Sequence, residues 1–183
     1  MLLQRDELLA SRIALQELAI RDPLTGLYNR RFLDAAVSRE FVRSQREGVP
    51  LAVIMLDLDH FKKVNDNCSH AAGDEVLKTL AALLKKGARE SDLICRYGGE
   101  EFIAIMPGMT TQQALERVDA WRKQLEETQV VYGEFSICVT LSAGIAVFPD
   151  HGQSPAELFA CADEMLYKSK RDGRNRISVF GQE

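Results

Sequence analysis

Leu93-Ile94-Cys95-Arg96-Tyr97-Gly98-Gly99-Glu100-Glu101-Phe102-Ile103-Ala104-Ile105-Met106 is the stretch on which the fold turns. Two short apolar runs flank a Gly-Gly pair, which predicts a β-hairpin with a two-residue turn at the one place where positive φ costs little. The acids that follow are thereby held at a rigid tip. Successive strand residues point to opposite faces, so at most one of Glu100 and Glu101 is expected to face a given ligand.

Working outward, Leu51 to Leu58 is a nearly continuous apolar run, as expected of a central strand covered on both faces. Ala71 to Lys86 reads as an amphipathic helix with Val76, Leu77, Leu80, Leu83 and Leu84 inward. Beyond the hairpin, Thr111 to Glu127 is a second helix through Leu115, Val118, Trp121 and Leu125. The chain returns to β character between Phe135 and Val147, with Gly144 as a bulge or a point of close approach. The order βαββαβ is the ferredoxin-like plan of an α/β (α+β) domain. A helix from Pro155 to about Arg171 and a short edge strand from Ile177 to Phe180 extend it. Ahead of this core, Asp22 to Asn29 forms a turn rich in capping residues, and the helix after it is ended by Gly48 and Pro50. Residues 1–21 are read as a separate segment, with the domain proper over 22–183. Leu8, Leu15 and Leu18 have helical spacing there, consistent with the tail of a longer signalling helix or with a helix folded back on the domain.

A chain of 183 residues with 46% hydrophobic content supports one well-packed domain plus an appendage. Its formal charge of −4 argues against a general binder of DNA or RNA, so any nucleotide it holds is small. Cys68, Cys95, Cys138 and Cys161 form no CxxC pair, and Cys95 and Cys138 lie in apolar runs. They are expected to be buried thiols in a reducing compartment rather than disulfides or zinc ligands, which points to the cytoplasm. No apolar run reaches membrane-spanning length, so a membrane tether is left to a flank beyond this chain.

The chemistry rests on a partner for Glu100. Asp57-Leu58-Asp59 ends the first strand, which this plan sets beside the hairpin, so Asp57 can converge on Glu100. Two carboxylates and the Leu58 carbonyl suit Mg²⁺ or Mn²⁺, which keeps its other positions for water and phosphate oxygens. Such a metal polarises an attacked phosphorus and lowers the pKa of an attacking hydroxyl. His60-Phe61-Lys62 follows directly, where turning backbone amides can cradle phosphate. Lys168, Lys170, Arg171, Arg174 and Arg176 crowd around Gly173, either as a triphosphate site or as a solvated, dipole-favoured helix end. Asn65, His70 and Asp74 space polar groups into the next helix. Asn65 can donate and accept. Asp74 can accept from the N1–H and 2-amino edge of guanine, or it is only a helix N-terminal charge.

These residues resemble the catalytic domain of GGDEF-type diguanylate cyclases, in the GGEEF variant, a palm-like nucleotidyl cyclase fold. The likeness runs from the Asp22 to Arg31 turn, through Asp57 to Asp74 and the Gly98 to Phe102 hairpin, to Lys170-Arg171-Asp172-Gly173-Arg174-Asn175. It implies condensation of two GTP into cyclic di-3′,5′-GMP with loss of two pyrophosphates, by a homodimer of half-sites fed by an upstream sensor. Asp57, the Leu58 carbonyl and Glu100 would bind magnesium, Glu100 being also the proton acceptor. Asn65 and Asp74 would read guanine with His70 nearby, and Lys62, Lys170 and Arg174 would hold phosphates. Arg89-Glu90-Ser91-Asp92 matches the family's RxxD inhibitory site, at which Arg89 and Asp92 would bind the product; otherwise it is an exposed i,i+3 ion pair. A second inhibitory arginine could be Arg117 or Arg122. Ser69 stands where the family commonly has glycine, which costs on the order of 1 kcal/mol if that backbone needs positive φ. The rival readings are a cyclic di-GMP receptor without turnover and a related cyclase acting on ATP.

Overall fold

The computed structural model describes Glu17 and residues 19–182. Glu17, Ala19 and Ile20 are helical, and the rest of the expected N-terminal helix lies outside the described residues. The elements in order are β1 (Tyr28–Asn29), α1 (Arg30–Glu47), β2 (Leu51–Leu58), α2 (Phe61–Asn67), α3 (His70–Gly87), β3 (Leu93–Arg96), β4 (Glu101–Pro107), α4 (Thr111–Glu127), β5 (Val130–Tyr132), β6 (Phe135–Ile137), β7 (Leu141–Phe148), α5 (Pro155–Arg171) and β8 (Ile177–Val179).

One six-stranded sheet has the order β1-β3-β4-β2-β7-β8. Its inner four strands are antiparallel neighbours, and they are the strands of the ferredoxin-like core. β1 and β8 extend the sheet in parallel at its two edges. Side chains of β2 alternate between two apolar layers, which is why its sequence shows no polar alternation. Ala52, Ile54 and Leu56 pack with α3 and α4, whereas Leu51 and Val53 pack with α1 and α5.

Local chemistry sets the element ends. The Asn29 side chain accepts from the Phe32 amide at 3.0 Å to start α1, and Gly48 closes that helix at φ 65° in the left-handed region that glycine adopts freely. Thr110 and Gln113 form a reciprocal capping box on α4. Ser154 caps α5, followed by Pro155 at its first position.

Several expectations are revised. The hairpin connection is Tyr97–Glu100 rather than two residues, closed by the Tyr97 amide donating to the Glu101 carbonyl at 2.8 Å. Neither Gly98 nor Gly99 has positive φ, because the longer connection needs no left-handed turn. What glycine supplies at 98 is space, since a Cβ there would press on the Glu101 carboxylate at 2.7 Å. The β character expected over Phe135 to Val147 divides, so that β5 and β6 form a separate two-stranded ribbon. Cys138, at the end of that ribbon, is exposed rather than buried. All four cysteines are free, and only Cys95 is buried, its thiol pushed up to about 12 by burial. Gly144 is a point of close approach, not a bulge: the β2–β7 register runs unbroken past it, and a Cβ there would overlap the backbone of α5.

Ser69 does adopt positive φ, at 140° with ψ 163°, a region essentially reserved for glycine. Its hydroxyl recovers part of that cost by accepting from the Ala72 amide at 3.2 Å as the cap of α3. Glycine loses only a few tenths of a kcal/mol as a cap. Ser69→Gly is therefore expected to stabilise the fold by about 1 kcal/mol, raising Tm by about 3 °C. An unchanged or lower Tm in a calorimetric scan would show that the cap outweighs the strain.

Candidate active site

Where β2 and β4 run side by side, Asp57 lies opposite Glu101, and the Leu58 amide donates to the Glu100 carbonyl at 3.3 Å. Glu100 has already left the strand for the connection, so its position there, and not strand alternation, sets the two acids apart. Both Glu100 and Glu101 lie close enough to Asp57 to interact with its charge. Only Glu100 lines the cavity beside Asp57. That cavity, of about 200 Å³, is walled by Asp57, Leu58, Lys62, Glu100, Lys170 and Arg174, with Asp59, His60 and Phe61 completing it.

The electrostatics are those of two acids held in partly desolvated surroundings. Asp57 is nearly buried, its side chain only 5% exposed, and the Lys170 ammonium sits 2.8 Å from its Oδ2. Burial nonetheless holds the Asp57 carboxyl above the ordinary range, with Glu101 and Asp59 adding to the rise against Lys170. Burial likewise raises Glu100, and the charge of Asp57 raises it further. Among the described residues no three His, Cys, Asp or Glu side chains cluster as a preformed metal cage. Two hard carboxylates of raised pKa beside the Leu58 carbonyl are a donor set that a divalent cation would suit and complete from water or phosphate oxygens.

The cations arrive from two elements. Tight contact at Gly144 seats α5 on β7, and the last turn of α5 carries Lys170 to Asp57. Lys62 is on the first turn of α2, immediately after β2. Arg174 follows α5 in a left-handed turn, with φ 121° at Gly173, 63° at Arg174 and 48° at Asn175.

The remaining predicted residues fall into two places away from this cavity. α2 packs on α3 at Gly73, where a Cβ would overlap the Asn65 side-chain oxygen, so Asn65 lies next to the exposed Asp74. His70 is exposed at the start of the same helix. Arg89 and Asp92 share a different cavity with Arg21, Tyr28 and Lys85. They do not form the side-chain ion pair of the alternative reading. Instead the Arg89 amide donates to Asp92 Oδ2 at 2.8 Å, while Asp92 Oδ1 is buried without a hydrogen-bond partner among the described residues. Arg122 is committed elsewhere, to Asp119, Glu126 and Asn175.

Four polar residues around the site had no role assigned to them from the sequence: Asp22, Asp59, Arg96 and Asn175. Arg96 donates to the Gly99 carbonyl at 2.8 Å and reaches Asp22 at 3.3 Å, tying the hairpin tip to the turn before β1. Burial works against the Asp22 charge, but the Thr25 hydroxyl and amide and the Arg96 guanidinium outweigh it and leave that carboxyl below its ordinary value. Asp59 and Asn175 join β2 to the Arg174 turn. Asp59 stood in the Asp57-Leu58-Asp59 run, and Asp22 and Asn175 lay within the quoted motifs; only Arg96 lay outside every stretch singled out for chemistry.

Comparison with known proteins identifies the family and the fold. Residues 19–176 match the family model described as "Diguanylate cyclase, GGDEF domain". Over 161 residues the chain is 38% identical to diguanylate cyclase DgcP of Pseudomonas aeruginosa, covering 88% of this chain and 24% of that protein. Over 163 residues it is 39% identical to response regulator PleD of Caulobacter vibrioides, covering 88% of this chain and 36% of that one. The coiled coil and GGDEF domain of DgcB from Caulobacter crescentus, solved in complex with c-di-GMP, superposes with a TM-score of 0.88 at 27% identity, over 96% of this chain and 93% of that structure. The chain thus spans about a quarter to a third of the length of these two curated relatives.

Proposed function

Because this chain belongs to the diguanylate cyclase GGDEF family, we propose that it condenses two GTP into cyclic di-3′,5′-GMP, releasing two pyrophosphates. The observation that carries this reading is the pairing of Asp57 with Glu100 in one cavity, ringed by Lys62, Lys170 and Arg174.

Asp57, the Leu58 carbonyl and Glu100 would hold magnesium or manganese, which when bound polarises the α-phosphate and eases loss of a proton from the attacking hydroxyl. Lys62, Lys170 and Arg174 bind the triphosphate and offset the charge that develops on the departing pyrophosphate. Glu100 accepts the proton of the 3′-hydroxyl. Asn65 and Asp74 recognise the guanine edge, with His70 beside them. One chain supplies one carboxylate pair and one set of cations, whereas the product needs two attacks. Two chains facing each other across a two-fold axis meet that need, each nucleotide attacking the other.

The second cavity supports product inhibition. Asp92 Oδ1 is a desolvated acceptor lacking a donor among the described residues, and Arg89 at the same cavity is exposed. A guanine N–H group satisfies the first, and the Arg89 guanidinium can stack on and bond to a base.

Purified chain incubated with GTP and Mg²⁺ is expected to yield cyclic di-GMP by chromatography, at a rate per protein that rises with protein concentration. An equimolar GTP and ATP mixture should give only the symmetric guanine product. Absence of product, or a mixed dinucleotide, overturns the reading. Added product should slow the wild-type reaction; an unaffected rate removes the inhibitory role of Arg89 and Asp92.

A further inference from the structure

Asp59 stands two residues from Asp57 and lines the same cavity, yet its carboxylate is turned to other work. It is 4% exposed. Its Oδ1 accepts from the Ser142 hydroxyl at 2.7 Å, and its Oδ2 accepts from the Thr140 hydroxyl at 2.7 Å and from the Asn175 amide at 2.9 Å. Its own amide donates to the Thr140 carbonyl at 2.9 Å. Both oxygens are engaged by neutral donors, which is the environment of a structural anion rather than of a cation ligand.

The third of those donors matters most. Arg174 and Asn175 are consecutive non-glycine residues with positive φ, at 63° and 48°, a conformation that persists only when its surroundings impose it. Several constraints do so here, among them the Ala143 amide donating to the Arg176 carbonyl at 3.0 Å and Arg176 Nε donating to the Arg174 carbonyl at 3.1 Å. The Arg174 amide donates to the Ser169 carbonyl at 2.9 Å, and the Asn175 side chain bridges Arg122 and Glu126 of α4, at 2.9 Å each. The Asp59 carboxylate is the one that joins the turn to the end of β2, where Asp57 stands.

We propose that Asp59 is a positioning residue: its carboxylate clamps the 173–176 turn through the Asn175 amide and so holds Arg174 over the Asp57–Glu100 cavity. The proposal rests on the cyclase reading only for what Arg174 binds there, a nucleoside triphosphate. Removing the clamp frees the turn to relax out of the left-handed region, carrying Arg174 off the phosphates while Lys170, anchored in α5, stays. Asparagine preserves the clamp. Its Oδ1 can take the place of Oδ2 toward Thr140 and Asn175, and its Nδ2 can donate to Ser142, whose hydroxyl is free to turn.

Hydrogen exchange on the full chain tests the clamp without reference to turnover. In Asp59→Ala a peptide spanning residues 172–176 should exchange about tenfold faster than in wild type, with β2 unchanged, and Asp59→Asn should exchange as wild type does. Kinetics test the consequence. Asp59→Ala should raise KM for GTP about tenfold with a smaller effect on kcat, Asp59→Asn should restore it, and Asp59→Ala should add nothing in an Arg174→Ala background. A protected turn in Asp59→Ala, an asparagine variant as impaired as alanine, or losses additive with Arg174→Ala each overturn the proposal. If the alanine variant does not fold, Asp59→Asn decides alone, parity with wild type supporting the clamp and loss refuting it. A wild-type chain that makes no product removes the cyclase reading, and the exchange rates still judge the clamp.

Discussion

Glu100→Gln is expected to lower cyclic di-GMP formation by about a thousandfold or more while leaving the fold intact. The amide matches the carboxylate in shape but carries no charge for a divalent ion and cannot take up a hydroxyl proton near neutral pH. Stability should move in the opposite sense. The carboxyls of Asp57 and Glu100 both titrate above their ordinary values, so the folded chain binds more protons than the unfolded chain over that interval. Stability therefore falls as pH rises from the ordinary carboxylate value through the raised one, and the penalty is fully present above the raised value. Replacing Glu100 removes its share of that penalty. Without divalent ion at pH 7, Glu100→Gln should melt no lower than wild type by circular dichroism. Near-normal turnover would show that the ligand is misassigned, and a clearly lower melting point would assign Glu100 a structural role instead.

Gly144→Ala should be the most damaging single methyl in the domain. The added carbon would overlap the Ala162 carbonyl oxygen and the Leu166 amide nitrogen, with the Met165 carbonyl carbon 2.8 Å away. All three are helix backbone, so no side chain can rotate aside and α5 must shift bodily from β7. Overpacking of this kind costs about 3 kcal/mol or more, a fall in Tm of about 6–12 °C for a chain of this size. The shift also moves Lys170 away from Asp57, so activity should fall at temperatures where the variant is still folded. Gly99→Ala is the control for stability, because a Cβ there meets no atom within 4 Å. Equal melting of the two variants would show that α5 adjusts without cost.

How far the sequence could be read depended on the range of the forces involved. α4 and α5 appear with the bounds their apolar spacing predicts, because each buries one stripe along its whole length. β2 was legible because both its faces are covered, and its place beside β4 follows from the βαββαβ order. That adjacency is what brings Asp57 near Glu100, so the centre of the cavity could be anticipated from patterns alone. α2 escaped notice because seven residues hold too few turns for a period to show. The Gly98-Gly99 turn was misread by a rule for two-residue connections applied to a longer one. The clamp on the Arg174 turn had no local signal: Asp59 meets Thr140, Ser142 and Asn175 at separations of 81, 83 and 116 residues. Such contacts are set by strand order and helix seating, which no window of sequence contains.

The 2.8 Å contact between Lys170 and Asp57 has a consequence for how the cavity fills. A tethered ammonium already shields the acid proposed to hold a divalent ion, and a free ion arriving alone would have to displace it with nothing to offer in exchange. A polyphosphate gives that ammonium another anion to neutralise and uncovers Asp57 in the same event. Ion and nucleotide are thus expected to load as a single cooperative unit, each weak without the other. A resting chain in a magnesium-rich solution would stay unloaded until its substrate arrives.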